Sequence, residues 1–390
     1  PLAHRGPEAE KVAESGKDMS DDMLTVAGGP HGTARAEEAA GYRSGDSAVI
    51  GEGEQTLVEI GEAVAGGGSF EKVNGIVIGA EGSVRRTPGR ARYKELDKLP
   101  FPAHDLLPEP AFYHPFPAWG KKGHFSCIIS GRGCPYNCCF CDVTSQQGKQ
   151  YRLRSAENIV DELEWLYRDF GVTMFSFRDP SMICNRRRLM ELCRLIGERS
   201  LEIVWTCNSR TNEVDPEMLT AMKKAGCRLM QYGIEVGNAE MLKKIKNITR
   251  ERVANAISDT RRAGISAHGY FLFGFADETA ETIEETIDFA RELDLDSAGF
   301  AVMVPFPGTQ EFEHFRREGL LLTEDWRDYD IGGKPVYRHK NLTHEQLTRA
   351  TRRGYRRFYL RPRIIAGQLR GVTSLQTLRT YIRSARQTLF

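Results

Sequence analysis

The chain has 390 residues, 40% of them hydrophobic, and its 54 Lys and Arg nearly balance 53 Asp and Glu for a net charge of +1. That length suits about two globular domains with real cores, and the near-neutral balance selects no polyanionic or acidic partner. No apolar run reaches the roughly 20 residues that cross a bilayer, and nine cysteines without a secretory signal argue against a disulfide framework and for a reducing, cytoplasmic compartment.

The chain opens on Pro1 and polar residues without a targeting pattern, as expected of a chain that starts partway through a domain. Residues 24–29 read as a buried strand ending in a glycine turn, 34–40 as a short helix and 47–50 as a second strand. Gly-Glu-Gly-Glu at 51–54 leads into a helix to about residue 65, and 76–78 reads as a last strand or hairpin. This alternation predicts part of a parallel α/β, Rossmann-like domain over 1–84. Residues 85–123 carry Pro100, Pro102, Pro108, Pro110, Pro115 and Pro117, which predicts an extended linker.

From 124 to 310 the pattern is strand then helix, repeated. Strands are expected at 125–130, 174–177, 203–207, 229–234, 267–273 and 298–304, and helices at 156–170, 187–198, 216–225, 250–263 and 279–293. Ile159, Leu163, Leu166 and Phe170 fall at helical spacing behind Ser155 as cap, and Asp215 before Pro216 is another start signal. Gly226 and Gly264 stand just past helix ends, where stops belong. The pattern predicts a partial (β/α)6 barrel, followed over 311–390 by a helical extension.

Between the first strand and the first helix lies Ser-Gly-Arg-Gly-Cys-Pro-Tyr-Asn-Cys-Cys-Phe-Cys, with Cys134, Cys138 and Cys141 spaced C-x3-C-x2-C. A [4Fe–4S] cube usually takes four thiolates. Three leave one iron with an open position, which is where a metal does chemistry. A structural zinc site would need a second pair of ligands, and none exists here. Cys139 shares no ligand spacing and is expected to point away as a small buried residue.

This loop resembles the signature of the radical S-adenosylmethionine (SAM) superfamily, and the likeness extends over 125–309. The resemblance implies that the open iron chelates SAM, that the sulfonium is split reductively, and that a 5′-deoxyadenosyl radical abstracts hydrogen. In barrels, chemistry sits at the C-terminal strand ends, and further family motifs fall there. Asp179 in Arg-Asp-Pro-Ser occupies the position that contacts the SAM amino group. Arg210 resembles the arginine that approaches the SAM carboxylate. Glu235 in Gly-Ile-Glu resembles the carboxylate that accepts from the ribose hydroxyls. Gly274 would admit the adenine edge, although Ala276 and Asp277 replace the family's proline and glycine and Glu278 is read as a favourable helix start. Pro305, in Pro-Phe-Pro-Gly-Thr, and Phe140 would lie beside the adenine.

Gly-Gly-Pro-His at 28–31 and Gly-Glu-Gly-Glu at 51–54 resemble the C-terminal part of the cobalamin-binding domain that precedes many such barrels, here truncated and without a D-x-H-x-x-G loop. No cysteine precedes Cys127 or follows Cys227, so a second cluster has no obvious ligands. After Glu345 the chain holds eleven arginines and no acid, a basic amphipathic segment that would meet an anionic membrane surface, an anionic substrate or the barrel itself. No base-reading motif accompanies it, so nucleic acid is not expected. The reading is an enzyme with a [4Fe–4S] cluster, SAM and cobalamin that methylates an unactivated carbon of a small-molecule or lipid-like substrate, reduced by a donor such as flavodoxin or ferredoxin. A radical cyclase or rearrangement enzyme is the alternative, and an iron–sulfur electron-transfer or sensor protein is the rival class.

Overall fold

The computed structural model describes residues 6–41, 45–80, 83–107, 123–370 and 379. Pro108, Pro110, Pro115, Pro117, Arg383 and Arg386 lie outside them. The chain forms two compact units that interleave in sequence: 1–94 with 133–151 and 304–338, and 95–132 with 152–303 and 339–390.

In the first unit, helix α1 (Gly6–Met19) precedes strand β1 (Val26–Ala27). The chain then enters α2 (Gly29–Ala34) and α3 (Ala36–Ala40), where the sequence led us to expect one helix over 34–40. Pro30 in the first turn starts α2 early, and Arg35, at φ −137°, breaks the pair. Strands β2 (Ser47–Val49), β3 (Ile76–Ala80) and β4 (Ser83–Arg86) complete a sheet of order β1-β2-β3-β4, with α4 (Glu54–Ala65) between β2 and β3. Only β1 and β2 run parallel; β3 and β4 form the hairpin and pair antiparallel to β2. Small side chains let α3 sit close: Ala36, Ala39 and Ala40 pack with Ala48 and Val77, while Val49, Ile60, Val73 and Ile76 form a second cluster. The cysteine loop, with α5 (Val143–Gln147), and α12 (Gln310–Arg317) belong to this unit.

The second unit holds the predicted barrel. Strands β5 (His124–Ile128), β8 (Val172–Phe177), β9 (Val204–Ser209), β10 (Cys227–Glu235), β11 (Ser266–Phe273) and β12 (Ser297–Val302) form one sheet in chain order, every pair parallel. It is a curled parallel half-barrel. Short β6 (Gly131–Arg132) and β7 (Arg152–Leu153) pair antiparallel at the two ends of the cysteine loop. Side chains alternate between the two faces of a strand. One face carries Phe175, Phe177, Trp205, Cys207, Met230, Tyr232, Phe271 and Phe273, all fully buried, each contributing roughly 1.5–3 kcal/mol for a large apolar side chain. The other face is polar and partly open, with Cys127, Arg178, Asn208, Gln231 and Tyr270.

The helices α6 (Ala156–Phe170), α7 (Arg186–Glu198), α8 (Pro216–Lys224), α10 (Arg250–Arg262) and α11 (Ala280–Glu292) follow their strands. Ser155 accepts from the Asn158 amide and Asp215 from the Met218 amide, the caps the sequence announced. A further helix, α9 (Ala239–Lys246), was not foreseen; Asn238 caps its start and Asn247, left-handed at φ 54°, ends it. After α12 come α13 (His344–Tyr359) and α14 (Pro362–Arg370). Gly354 lets α13 approach Phe300, since a Cβ there would stand 2.9 Å from the ring. The basic face of α13 meets an acidic one: Arg353 and Arg357 pair with Glu284, Arg357 also with Asp288, and Arg363 with Asp294. Much of the tail's charge is therefore spent within its own unit.

Candidate functional site

Gly133 opens the cysteine loop at φ +88°, and a Cβ there would stand 2.3 Å from the Gln150 carbonyl, so only glycine fits. The Gly133 amide donates to Gln147 Oε1 at 2.9 Å and the Cys134 amide to the Gly148 carbonyl at 3.2 Å, closing the loop on itself. The Cys141 amide donates to the Cys138 carbonyl at 3.1 Å. Cys134, Cys138 and Cys141 are all partly exposed and none of the nine cysteines forms a disulfide. Burial pushes the Cys141 thiol up to about 11, and Cys138 and Cys134 lie near enough to add to that shift.

Cys139, expected to be buried, is partly exposed like the other three. Burial first, then the nearby Glu311 carboxylate, push its thiol up to about 12. The Glu311 amide in turn donates to the Cys139 carbonyl at 3.1 Å. Three soft sulfur donors at C-x3-C-x2-C spacing within one loop fit an iron–sulfur cluster with one open iron. The turn at 304–309 lies against this loop. Pro305 is buried, Gly308 at φ +84° would place a Cβ 2.9 Å from Ser145 Oγ, and Thr309 caps α12 through the Phe312 amide. Phe140 is half-buried beside Cys141.

At the strand ends of the second unit the predicted polar residues are buried and already bonded. Asp179, 1% exposed, accepts the Ser130 amide on both oxygens at 3.1 Å and the Ser130 hydroxyl at 2.9 Å. Burial raises its carboxyl above the ordinary range against the pull of these donors. Arg210 is 7% exposed; its Nη2 donates to the Lys246 carbonyl at 2.5 Å and its Nε to Asn212 at 3.3 Å. Glu235 holds a left-handed backbone at φ 71°, where the β10–β11 register shifts between Gly233 and Glu235. Its carboxylate meets Lys246 Nζ at 3.1 Å, and both residues are under a tenth exposed. Gly274, at φ +100°, donates its amide to Glu278.

Two of these residues correct or extend the sequence reading. Glu278 is not simply a helix start. It is fully buried, it accepts from the Gly274 and Phe275 amides, and burial pushes it up to about 7. Lys246 was missed because α9 was missed; only the position of a lysine at a helix end, which is where lysines are ordinarily found, was legible.

A three-thiolate loop in a chain whose parallel half-barrel presents acids and an arginine at its strand ends defines a class, the radical SAM enzymes. Comparison with known proteins agrees. The family model described as the radical SAM superfamily matches residues 128–290. An uncharacterised methyltransferase of Pyrococcus horikoshii is 35% identical over 360 residues, covering 92% of this chain and 77% of that protein. An anaerobic magnesium-protoporphyrin IX monomethyl ester cyclase of Rubrivivax gelatinosus is 29% identical, covering 90% of this chain but 63% of its own length. Among solved structures, the radical SAM methyltransferase TsrM of Kitasatospora setae, described with tryptophan substrate and a SAM analogue bound, aligns with a TM-score of 0.75 at 19% identity over 92% of this chain and 75% of its own; the likeness is one of fold. The chain belongs to the radical SAM superfamily, whose members bind a [4Fe–4S] cluster and SAM.

Proposed function

We propose that this protein is a cobalamin-dependent methyltransferase that acts on an unactivated carbon of a small molecule. The observation that supports the reading is the loop of three partly exposed thiols, Cys134, Cys138 and Cys141, whose number leaves one iron of a cube open to a substrate. When bound, the cluster supplies one electron to the sulfonium of SAM, and cobalamin supplies the methyl group. Cys134, Cys138 and Cys141 hold the cluster. Glu235 takes the ribose hydroxyls, Arg210 and Asp179 the methionine end, and Gly274, Pro305 and Phe140 the adenine. The glycines at 28–29 and 51–53, each at a strand-to-helix turn of the small sheet, face the cobalamin tail. Electrons come from a one-electron carrier such as flavodoxin or ferredoxin, which fits thiols that must stay reduced.

Methyltransferases of similar sequence support methylation. The test is anaerobic reconstitution with iron, sulfide and cobalamin, followed by reduction with SAM labelled in its methyl group. Release of 5′-deoxyadenosine, with label passing to bound cobalamin, is expected. An intact cluster without nucleoside release would sink the enzyme reading; nucleoside release with cobalamin that never acquires label would favour the cyclase reading.

A further inference from the structure

The Glu235 carboxylate does not stand at its strand end by itself. It is held against Lys246 at 3.1 Å, in a site where the two side chains are 8% and 6% exposed. Burying two charges costs several kcal/mol per ion unless geometry compensates, so such a pair needs a reason. Three further features converge on it. Gly233 leaves the space: a Cβ there would stand 2.4 Å from Glu235 Oε1 and 3.2 Å from Lys246 Nζ. Arg210 fixes the end of α9 from below, its guanidinium on the Lys246 carbonyl at 2.5 Å. The left-handed backbone of Glu235 at φ 71° is a conformation that non-glycine residues hold only when their surroundings impose it.

We propose that Lys246 is a positioning residue for nucleotide binding: it keeps the Glu235 carboxylate charged and aimed, with Gly233 providing the room and Arg210 bracing the helix end that carries the ammonium. The proposal rests on the reading of Glu235 as the ribose acceptor. A charged acceptor binds hydroxyl donors more tightly than a neutral one. Without its cation, a buried carboxylate takes up a proton and loses half its acceptor capacity. Lys246 from α9 and Tyr270 from β11, whose hydroxyl burial raises above its ordinary value, face Glu235; Arg210 donates to the Lys246 carbonyl and to Asn212.

The experiment is SAM binding by equilibrium dialysis to protein with reconstituted cluster, with iron content measured for each variant, across pH 6 to 9. Lys246→Met is expected to keep its iron and to bind SAM roughly ten- to hundred-fold more weakly, the range of a lost charge-assisted hydrogen bond. Its affinity should recover as pH rises, because a carboxylate left without its cation accepts the ribose hydroxyls better once ionised. Lys246→Arg should restore most of the affinity. Gly233→Ala, which leaves both charges but crowds the carboxylate, is the second arm should Lys246→Met fail to fold, and it too should weaken SAM without loss of iron. Lys246→Met and Gly233→Ala binding SAM as wild type does would overturn the proposal and leave the enzyme reading intact. An equal loss in the Met and Arg variants without pH recovery would make Lys246 merely structural, and overturn it. Wild-type protein that holds its cluster but does not bind SAM would overturn the enzyme reading and this inference together.

Discussion

In the cysteine loop three thiols stand partly exposed, and burial, with Cys138 and Cys134 nearby, pushes Cys141 up to about 11. At the strand ends of the second unit, Asp179, Arg210, Glu235, Lys246 and Glu278 are buried and already engaged with partners. The first region is a ligand set that its metal completes, because a metal binds the thiolate and displaces the proton. The second is preorganised: its polar groups were desolvated on folding, and each needs a partner to avoid a penalty of roughly 1–3 kcal/mol. Chemistry that depends on an added metal keeps its ligands within reach of solvent. Recognition of a nucleotide by fixed hydrogen bonds requires a rigid frame.

That contrast can be broken at either end. The largest effect is expected from Cys138→Ala. With two thiolates the loop should lose its cluster and 5′-deoxyadenosine release should fall to background, while far-UV circular dichroism stays that of wild type, because the loop contributes almost no secondary structure. Iron analysis and product chromatography check this, and retained activity would refute the ligand assignment.

Glu278→Gln probes the preorganised side through pH. Burial holds the Glu278 carboxyl at about 7 against an ordinary 4.5, so the fold favours its protonated form. The stability this gives is complete below about 4.5 and is lost as pH rises through about 7. The glutamine variant cannot ionise, so its stability curve, from urea unfolding at steps across that window, should fall less steeply than that of wild type. Parallel curves would show that the carboxyl is not buried as drawn. The smallest effect is expected from Cys139→Ala. Cys139 shares no ligand spacing with the other three and lies beside Glu311, so iron content should be unchanged and the cost about 1 kcal/mol or less. Loss of iron in this variant would mean that the loop chooses its three ligands differently.

The sequence carried its periodic and punctuated features well. The α6 face of Ile159, Leu163 and Leu166 is fully buried, and the Asp215–Pro216 start and the Gly226 stop stand where they were expected. Position 226 illustrates why: at φ +96°, with a Cβ that would stand 2.2 Å from the Ile203 carbonyl, no residue but glycine fits, so the signal is written in one letter. Less legible were α1, whose residues are mostly polar, and α9, whose eight residues are too few for a periodic signal.

Local chemistry thus determined what the chain itself could announce: six strands with helices between them, three ligands at a fixed spacing, and an acid or arginine at three strand ends, Asp179, Arg210 and Glu235. Those signals lie between residues close in sequence, where backbone geometry alone relates them. Which buried polar group meets which was decided only by the tertiary structure. Lys246 reaches Glu235 across eleven positions and a bulge, Arg210 reaches the Lys246 carbonyl across thirty-six, and the arginines of α13 find Glu284 and Asp288 across about seventy. Desolvation forces each such group to find a partner, but the packing of strands and helices sets which partner is within reach.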